Sequence, residues 1–263
     1  IANVPTNFTI AGTGDFNGDG NSDILWRDAT TGATIVSLMK NQAITSSTLI
    51  ATLPSPWTIA GLGDFDGNRT TDILWRNTTN NAYVLSDMNG AMIKSSTLVG
   101  QPPTTWTVAG IGDFNGDNQA DILWRDSATN NYIISLMNGA AIQSSTLVAT
   151  VPSNWSVQAI GDFNGDGFDD ILWNDGTGKY VVSIVSNGTS ITSSTLIATL
   201  PSPWALGVPA AINGGRQNHI VWRDTSNGNV VVSQLNGSGT AISSSTLVGA
   251  PPTTWAIQGV NPK

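Results

Sequence analysis

The sequence has no cysteine and no glutamate, one histidine, and ten basic residues among 263. Each scarcity excludes something. Without cysteine there is no disulfide and no thiol chemistry, although the compartment stays open. Ten cations against 18 acids give a formal charge of −8 and a pI of about 4.3. Such a chain is poorly suited to phosphate backbones, so nucleic acid is set aside as a partner. No run of 18 apolar residues occurs, so no membrane insertion is expected, and no basic amphipathic segment points to a membrane surface. A lone histidine, no glutamate and no nucleophile elbow leave little for catalysis, and a protein that is not an enzyme is expected. The chain opens at Ile1 with no signal-peptide pattern, and the expectation is a mature or trimmed product.

What is present is aspartate, and its placement is regular. All 18 acids are Asp. Sixteen lie in four similar stretches: "GDFNGDGNSDILWRD" (14–28), "GDFDGNRTTDILWRN" (63–77), "GDFNGDNQADILWRD" (112–126) and "GDFNGDGFDDILWND" (161–175). A fifth copy, "AAINGGRQNHIVWRD" (210–224), keeps the apolar run and its closing Asp224 but loses the acids of the loop. The residue ahead of each "TIAG"-like stretch sets the period: Phe8, Trp57, Trp106, Trp155, Trp204 and Trp255. Five units follow, approximately 9–57, 58–106, 107–155, 156–204 and 205–255, with a tail at 256–263, read as one domain over 1–263.

Each unit reads as four short strands separated by Gly, Pro, Asn and Asp clusters. In the third unit these are 107–114, 120–126, 131–139 and 144–150. Ile, Val, Leu, Tyr and Thr dominate them, as a pleated buried surface prefers. "DILW" is apolar on both faces, which suits a sheet covered on both sides. Four strands at this period predict an all-β fold, a five-bladed β-propeller of four-stranded antiparallel blades. A β-solenoid is the alternative. The junction between units occurs six times against five copies of the inner strands. Residues 9–16 are expected to be the first strand of blade 1. The tail is then surplus, unless the chain is a piece of a longer array or swaps its ends with a partner copy, so oligomerisation stays open.

The acidic stretch has the donors of a metal loop. Oxygen ligands fall at positions 1, 3, 5 and 9, with the backbone carbonyl of position 7 available. Hard anionic oxygen on a flexible turn suits Ca²⁺ over zinc or copper. The sets are Asp15, Asn17, Asp19, Asn21 (carbonyl) and Asp23; Asp64, Asp66, Asn68, Thr70 (carbonyl) and Asp72; Asp113, Asn115, Asp117, Gln119 (carbonyl) and Asp121; Asp162, Asn164, Asp166, Phe168 (carbonyl) and Asp170. An EF-hand is excluded, because position 12 is Trp26 and strands flank the loop. The bland alternative is an Asx-turn with solvated acids and no ion. Four Ca²⁺ sites are expected. None is expected in the fifth copy, where Ala211, Gly215 and His219 replace the acids and His219 reads as a structural substitute.

These residues resemble the FG-GAP or VCBS-type repeat, known from integrin-like propellers, secreted bacterial proteins and fungal propeller lectins. The resemblance runs over nearly the whole chain. It implies calcium-loaded blades and a secreted, extracellular protein, with functions that range over adhesion, sugar binding and scaffolding.

A blade runs antiparallel, so its loops sort onto two ends. The acidic loops share one end. The junction tryptophans Trp57, Trp106, Trp155, Trp204 and Trp255 fall at the other. So do the loops opened by Arg27-Asp28, Arg76-Asn77, Arg125-Asp126, Asn174-Asp175 and Arg223-Asp224. Indole stacking on a pyranose with Arg and Asp on its hydroxyls would make a carbohydrate site at each blade boundary. Repetition would give avidity. The alternative is that these tryptophans are wedges between sheets. The tryptophans of the "ILW" and "IVW" runs (Trp26, Trp75, Trp124, Trp173 and Trp222) are expected to be packed. The reading favoured is a calcium-binding lectin propeller. The other readings are an adhesion or scaffold propeller without sugar affinity, and a propeller cut from a larger enzyme.

Overall fold

The computed structural model describes residues 7–207, 217 and 219–254. Twenty strands form, and no helix occurs among the described residues. The first blade is β1 (Phe8–Gly14), β2 (Asp23–Asp28), β3 (Ala33–Lys40) and β4 (Ala43–Thr52). The second is β5 (Trp57–Gly63), β6 (Asp72–Asn77), β7 (Tyr83–Met88) and β8 (Ile93–Gly100). The third is β9 (Trp106–Gly112), β10 (Asp121–Asp126), β11 (Asn131–Asn138) and β12 (Ala141–Thr150). The fourth is β13 (Ser156–Gly161), β14 (Asp170–Asn174), β15 (Lys179–Ser186) and β16 (Ser190–Thr199). The fifth is β17 (Trp204–Leu206), β18 (Ile220–Asp224), β19 (Val230–Leu235) and β20 (Ile242–Gly249).

Each group of four is one sheet whose hydrogen-bonded order follows the chain. The fold is an all-β, five-bladed β-propeller. Strand β1 pairs with β2 and is the first strand of blade 1, as the repeat predicts. The tail beyond residue 254, with Trp255, lies outside the described residues. The chain forms two compact units: residues up to Ile111 with Asp117–Ile122 and Ser135–Ser145, and Gly112–Gly116 with Leu123–Ile134 and residues from Thr146 onward.

Within the first unit, the "AGxG" strands let neighbouring blades come close. A Cβ on Gly61 would overlap the Ile111 side chain, and one on Gly63 would meet Ala120. Only glycine leaves that room. The core is built from the inner strands. Leu25, Val36, Ile73 and Trp75 bury together with Phe16 and Met88. In the second unit Leu172, Tyr180, Val182, Ile220 and Trp222 do the same around Phe163.

The "ILW" tryptophans are packed, Trp75, Trp124, Trp173 and Trp222 being buried and Trp26 half-buried. The indole of Trp26, Trp75, Trp173 and Trp222 donates to a serine on the third strand: Ser37, Ser86, Ser183 and Ser233, at 2.9–3.0 Å. That serine pairs with one on the outer strand: Ser47, Ser96, Ser194 and Ser245, at 2.7–2.8 Å. Ser135 and Ser145 make the same pair in blade 3. A buried indole N–H needs an acceptor, and the repeated serines supply it.

Candidate functional site

The acidic loops are built around a buried phenylalanine. Phe16, Phe65, Phe114 and Phe163 at position 2 are fully buried and pin the loop to the blade. Position 4 is glycine with φ between 72° and 82° (Gly18, Gly67, Gly116, Gly165), which closes the turn. The carboxylate at position 1 gathers the backbone. Asp15 accepts from the amides of Gly18, Asp19 and Gly20 at 2.7–3.1 Å, and Asp64 and Asp162 take the same three amides of their loops. In the third loop Gly116 donates to Asp113 at 2.7 Å and Gln119 to Asp117 at 2.8 Å.

Position 9 is the deepest acid. Asp23, Asp72, Asp121 and Asp170 are fully buried at the start of the second strand. Their Oδ1 atoms accept from the amides of Met39, Met88, Met137 and Val185 at 2.7–2.9 Å. In loops 1, 2 and 4 Oδ2 accepts from the buried phenylalanine's amide at 3.0 Å. Burial pushes the Asp72 carboxyl up to about 7 and that of Asp170 up to about 8, although these amides pull the other way. Asp23, Asp64 and Asp162 are also raised, again chiefly by burial. An ionised carboxylate out of water wants a cation.

The second loop brings Asp64, Asp66 and Asp72 together, with one ligand oxygen from each lying within 4.8 Å of the others. Loops 1 and 4 carry their middle acid at position 5 (Asp19, Asp166), where Asn17 and Asn164 donate to it. Oδ1 of Asp15, Asp64 and Asp162 takes two amides, whereas their Oδ2 and both oxygens of Asp23, Asp72 and Asp170 take one each, which leaves a lone pair on those oxygens for a metal. The donor set fits a hard divalent cation. Positions 1 and 5 of the fifth copy, Ala211 and Gly215, lie outside the described residues. His219 at its position 9 is buried, with no hydrogen-bond partner on Nδ1 among the described residues.

Sequence reasoning missed that neighbouring loops are tied together. The carbonyl at position 1 of one loop accepts from the amide at position 8 of the next. Thr71 donates to Asp15 at 2.7 Å and Ala120 to Asp64 at 2.6 Å in the first unit, and Asp169 to Asp113 at 2.8 Å in the second. The Asp169 side chain, left outside the metal sets, also accepts from the Asp113 amide at 2.8 Å.

At the opposite end the junctions meet the loops between second and third strands. Trp57, Trp106, Trp155 and Trp204 each donate their amide to a proline carbonyl three residues back (Pro54, Pro103, Pro152, Pro201) and are half-buried. Arg27 is a clamp. Its guanidinium donates to the carbonyls of Leu53 and Trp57 at 2.7 Å and to Thr34 at 2.8 Å, and lies 5.4 Å from the Trp75 ring. Arg223 reaches the Pro252 carbonyl at 2.8 Å. In blade 2 Asn81 takes over this work. Its amide donates to Pro102, Pro103 and Trp106, while Arg76 holds it at 2.7 Å and stands over Tyr83. The "NN" pair of that loop was the available signal, since Asn81 has φ 60°. Arg125 stands over Tyr132.

The acids of this end cap turns. Asp28 accepts from the Thr31 hydroxyl, the Thr30 amide and Asn7. Asp126 accepts from Ala128 and Thr129, Asp175 from Thr177, Asp224 from Ser226 and Asn227, and Asn77 from Thr79. The Thr31 hydroxyl and the Thr30 amide hold the Asp28 carboxyl down at about 2. The arginines and acids proposed to reach a sugar thus spend hydrogen bonds on the chain itself. The structure brings Trp155 together with Trp173 in a cleft of about 370 Å³, lined also by Val151, Val181, Ile191 and Ser194, with no charged side chain. The equivalent residues Leu53, Trp57, Val84 and Ile93 pack against the core containing Trp75. Leu200, Trp204, Val231 and Ile242 do so against the core containing Trp222.

Three overlapping stretches, 15–75, 64–124 and 113–173, match the model of the FG-GAP-like repeat. They take in more than half of the chain, and the chain belongs to this family. No curated protein matches the sequence. Among solved structures, the fold is similar to that of an Agrocybe aegerita lectin that specifically recognises non-reducing terminal N-acetylglucosamine. The TM-score is 0.67 at 17% identity, covering 97% of this chain and 70% of that one. A nidogen/laminin complex aligns at TM-score 0.47 and 16% identity, over 81% of this chain and 89% of that chain. The V. cholerae biofilm matrix protein Bap1 aligns at TM-score 0.39 and 15% identity, over 91% and 39%.

Proposed function

We propose that this protein is a calcium-binding propeller lectin, extracellular and not an enzyme, that binds carbohydrate multivalently at its blade boundaries. The observation that carries the sugar site is the cleft holding the half-buried Trp155 beside Trp173. An indole face stacks on the C–H face of a pyranose. The exposed Ser194 keeps hydrogen-bonding capacity beyond its bond to Ser183. The arginines and acids of the boundary hold the walls. The repeat supplies the same residue types at Trp57, Trp106 and Trp204, so weak single sites add up through avidity. The Agrocybe aegerita lectin is a precedent for sugar recognition on a propeller of this kind.

Calcium is supported by the oxygen-only donor sets and by buried carboxylates whose ionisation a cation would favour. Asp15, Asp64, Asp113 and Asp162, with the acids that follow in each loop, would hold the ions, which here supply rigidity to the loop.

A glycan array probed with the full chain in calcium tests the sugar reading. Binding to one glycan class is expected, with a tenfold or greater loss in Trp155→Ala and weaker avidity in Trp57→Ala and Trp106→Ala. Silence across all glycans sinks it. The second reading, an adhesion or scaffold propeller, draws on the outer strands. Each exposes one leucine in the same place: Leu49, Leu98, Leu147, Leu196 and Leu247, all more than half exposed.

A further inference from the structure

Blade 2 departs from its siblings beside its acidic loop. At the residue after the indole-bonded serine, the third strands carry Leu38, Leu136, Ile184 and Gln234, but β7 carries Asp87. On the facing outer strand, Thr45, Thr192 and Ser243 donate their hydroxyls back to the carbonyls of Leu38, Ile184 and Gln234 at 3.1–3.3 Å. Blade 2 replaces that hydroxyl with Lys94, whose Nζ lies 2.9 Å from Asp87 Oδ2. The other carboxylate oxygen, Asp87 Oδ1, is buried without a hydrogen-bond partner.

The pair abuts the loop. The next residue, Met88, donates its amide to Asp72 at 2.9 Å and accepts from the Thr70 hydroxyl at 3.1 Å. Both contacts are to members of the proposed ligand set. This is also the loop in which Asp64, Asp66 and Asp72 come within 4.8 Å of one another. Electrostatic influence runs both ways. Asp87, acting after burial and Asp66, helps raise Asp72. Asp66 and Asp72 add to the hydrogen bond and charge of Asp87 in keeping Lys94 protonated.

Resting on the calcium reading above, we propose that Asp87 and Lys94 set the metal affinity of the second loop: Asp87 strengthens divalent-cation binding there, and Lys94, a cation built into the blade, opposes it. The reasoning is charge balance. Three crowded carboxylates attract any nearby cation, and a mostly exposed ammonium on a flexible stem can lend its charge without occupying the oxygen cage. A divalent ion entering the loop is repelled by that ammonium and drawn by the fourth carboxylate. Blades 1, 3 and 4 have neither group at these positions, so the second site is tuned separately from the others.

The test is calorimetric titration of CaCl₂ into the metal-free full chain, with melting curves in chelator as a check on folding. Lys94→Met is expected to raise the affinity of one equivalent of calcium about three- to tenfold, and Asp87→Leu to lower it by a similar factor. The double variant should return close to the unaltered protein. The opposed shifts should shrink as NaCl is raised, because partly exposed charges are screened. General damage to the hairpin would move both single variants in the same direction and would overturn the proposal. Unchanged isotherms in both variants would overturn it too. A flat titration of the unaltered protein is a different failure, that of calcium binding itself, and this inference falls with it.

Discussion

At the loop end of the blades, the carboxyls of Asp72 and Asp170 are pushed up to about 7 and about 8, whereas at the junction end Asp28 is held down at about 2. The residue type is the same, and so is the strand of the blade, the second, at whose two ends these acids sit. Asp175 and Asp224 are also lowered; burial works against Asp175, and the bonds from Thr177 and Lys179 outweigh it, while Ser226 leads for Asp224. The difference lies in what surrounds the oxygens. Junction acids are shielded too, Asp28 at 3% exposure, but they accept from several hydroxyls and turn amides, which favour the charged form. The position-9 acids are sunk beneath a fully buried phenylalanine, where two amides do not offset the lost water. One end is complete as a protein, and the other carries charge that a cation would balance.

The largest effect should come from withdrawing calcium, and pH sharpens the contrast. Asp72 and Asp170 have folded-state values above the ordinary carboxylate value of about 3.9. Between about pH 4 and about pH 8 the metal-free folded state then binds more protons than the unfolded chain, so its stability falls as pH rises through that window. Bound as proposed, calcium would hold the same carboxylates ionised and oppose the loss. Each ion at a hundredfold excess over Kd contributes roughly 2.7 kcal/mol, and two would shift the melting temperature by roughly 10–20 °C. Melting curves with EDTA and with calcium should therefore diverge more at pH 8 than at pH 5.5. Equal curves at both pH values would break the comparison at its base.

Next in size is Asp170→Ala. It strips the acceptor from the amides of Phe163 and Val185, at a cost of about 3 kcal/mol in urea unfolding. The loss should persist in chelator, because those bonds do not depend on an ion. A loss confined to calcium buffers would show that Asp170 acts as a ligand alone. At the junction end, Arg27→Met should cost about 2 kcal/mol by leaving the Leu53 and Trp57 carbonyls unpaired, with no change in calcium stoichiometry. A variant within about 0.5 kcal/mol of the parent would mean water replaces the clamp.

Much of this architecture was legible in the chain. The 49-residue period, the four strand segments per unit and the turn residues between them give the five blades, because short apolar runs covered on both faces between Gly, Asn and Pro clusters have few other solutions. The third unit illustrates the accuracy: its first strand is Trp106–Gly112 against an expected 107–114, and its last is Ala141–Thr150 against 144–150. Packing of the "ILW" tryptophans was also readable from their mid-strand position. The serine acceptors for their indoles were not, because nothing local links Trp173 to Ser183 and Ser194.

The sequence alone determined where the oxygens are, since ligand spacing within nine residues is a local property of the chain. It determined the blade count for the same reason, by repetition. Only the tertiary structure decided which acids are starved of solvent and which are satisfied, because burial depends on residues far away in the chain. It likewise decided that Arg27 grips a backbone 26 to 30 residues on, that the Asp15 carbonyl takes its hydrogen bond from Thr71, and that Lys94 meets Asp87 beside the second loop. Those are contacts between strands or blades, and a strand's pattern records which face is buried without naming what lies against it.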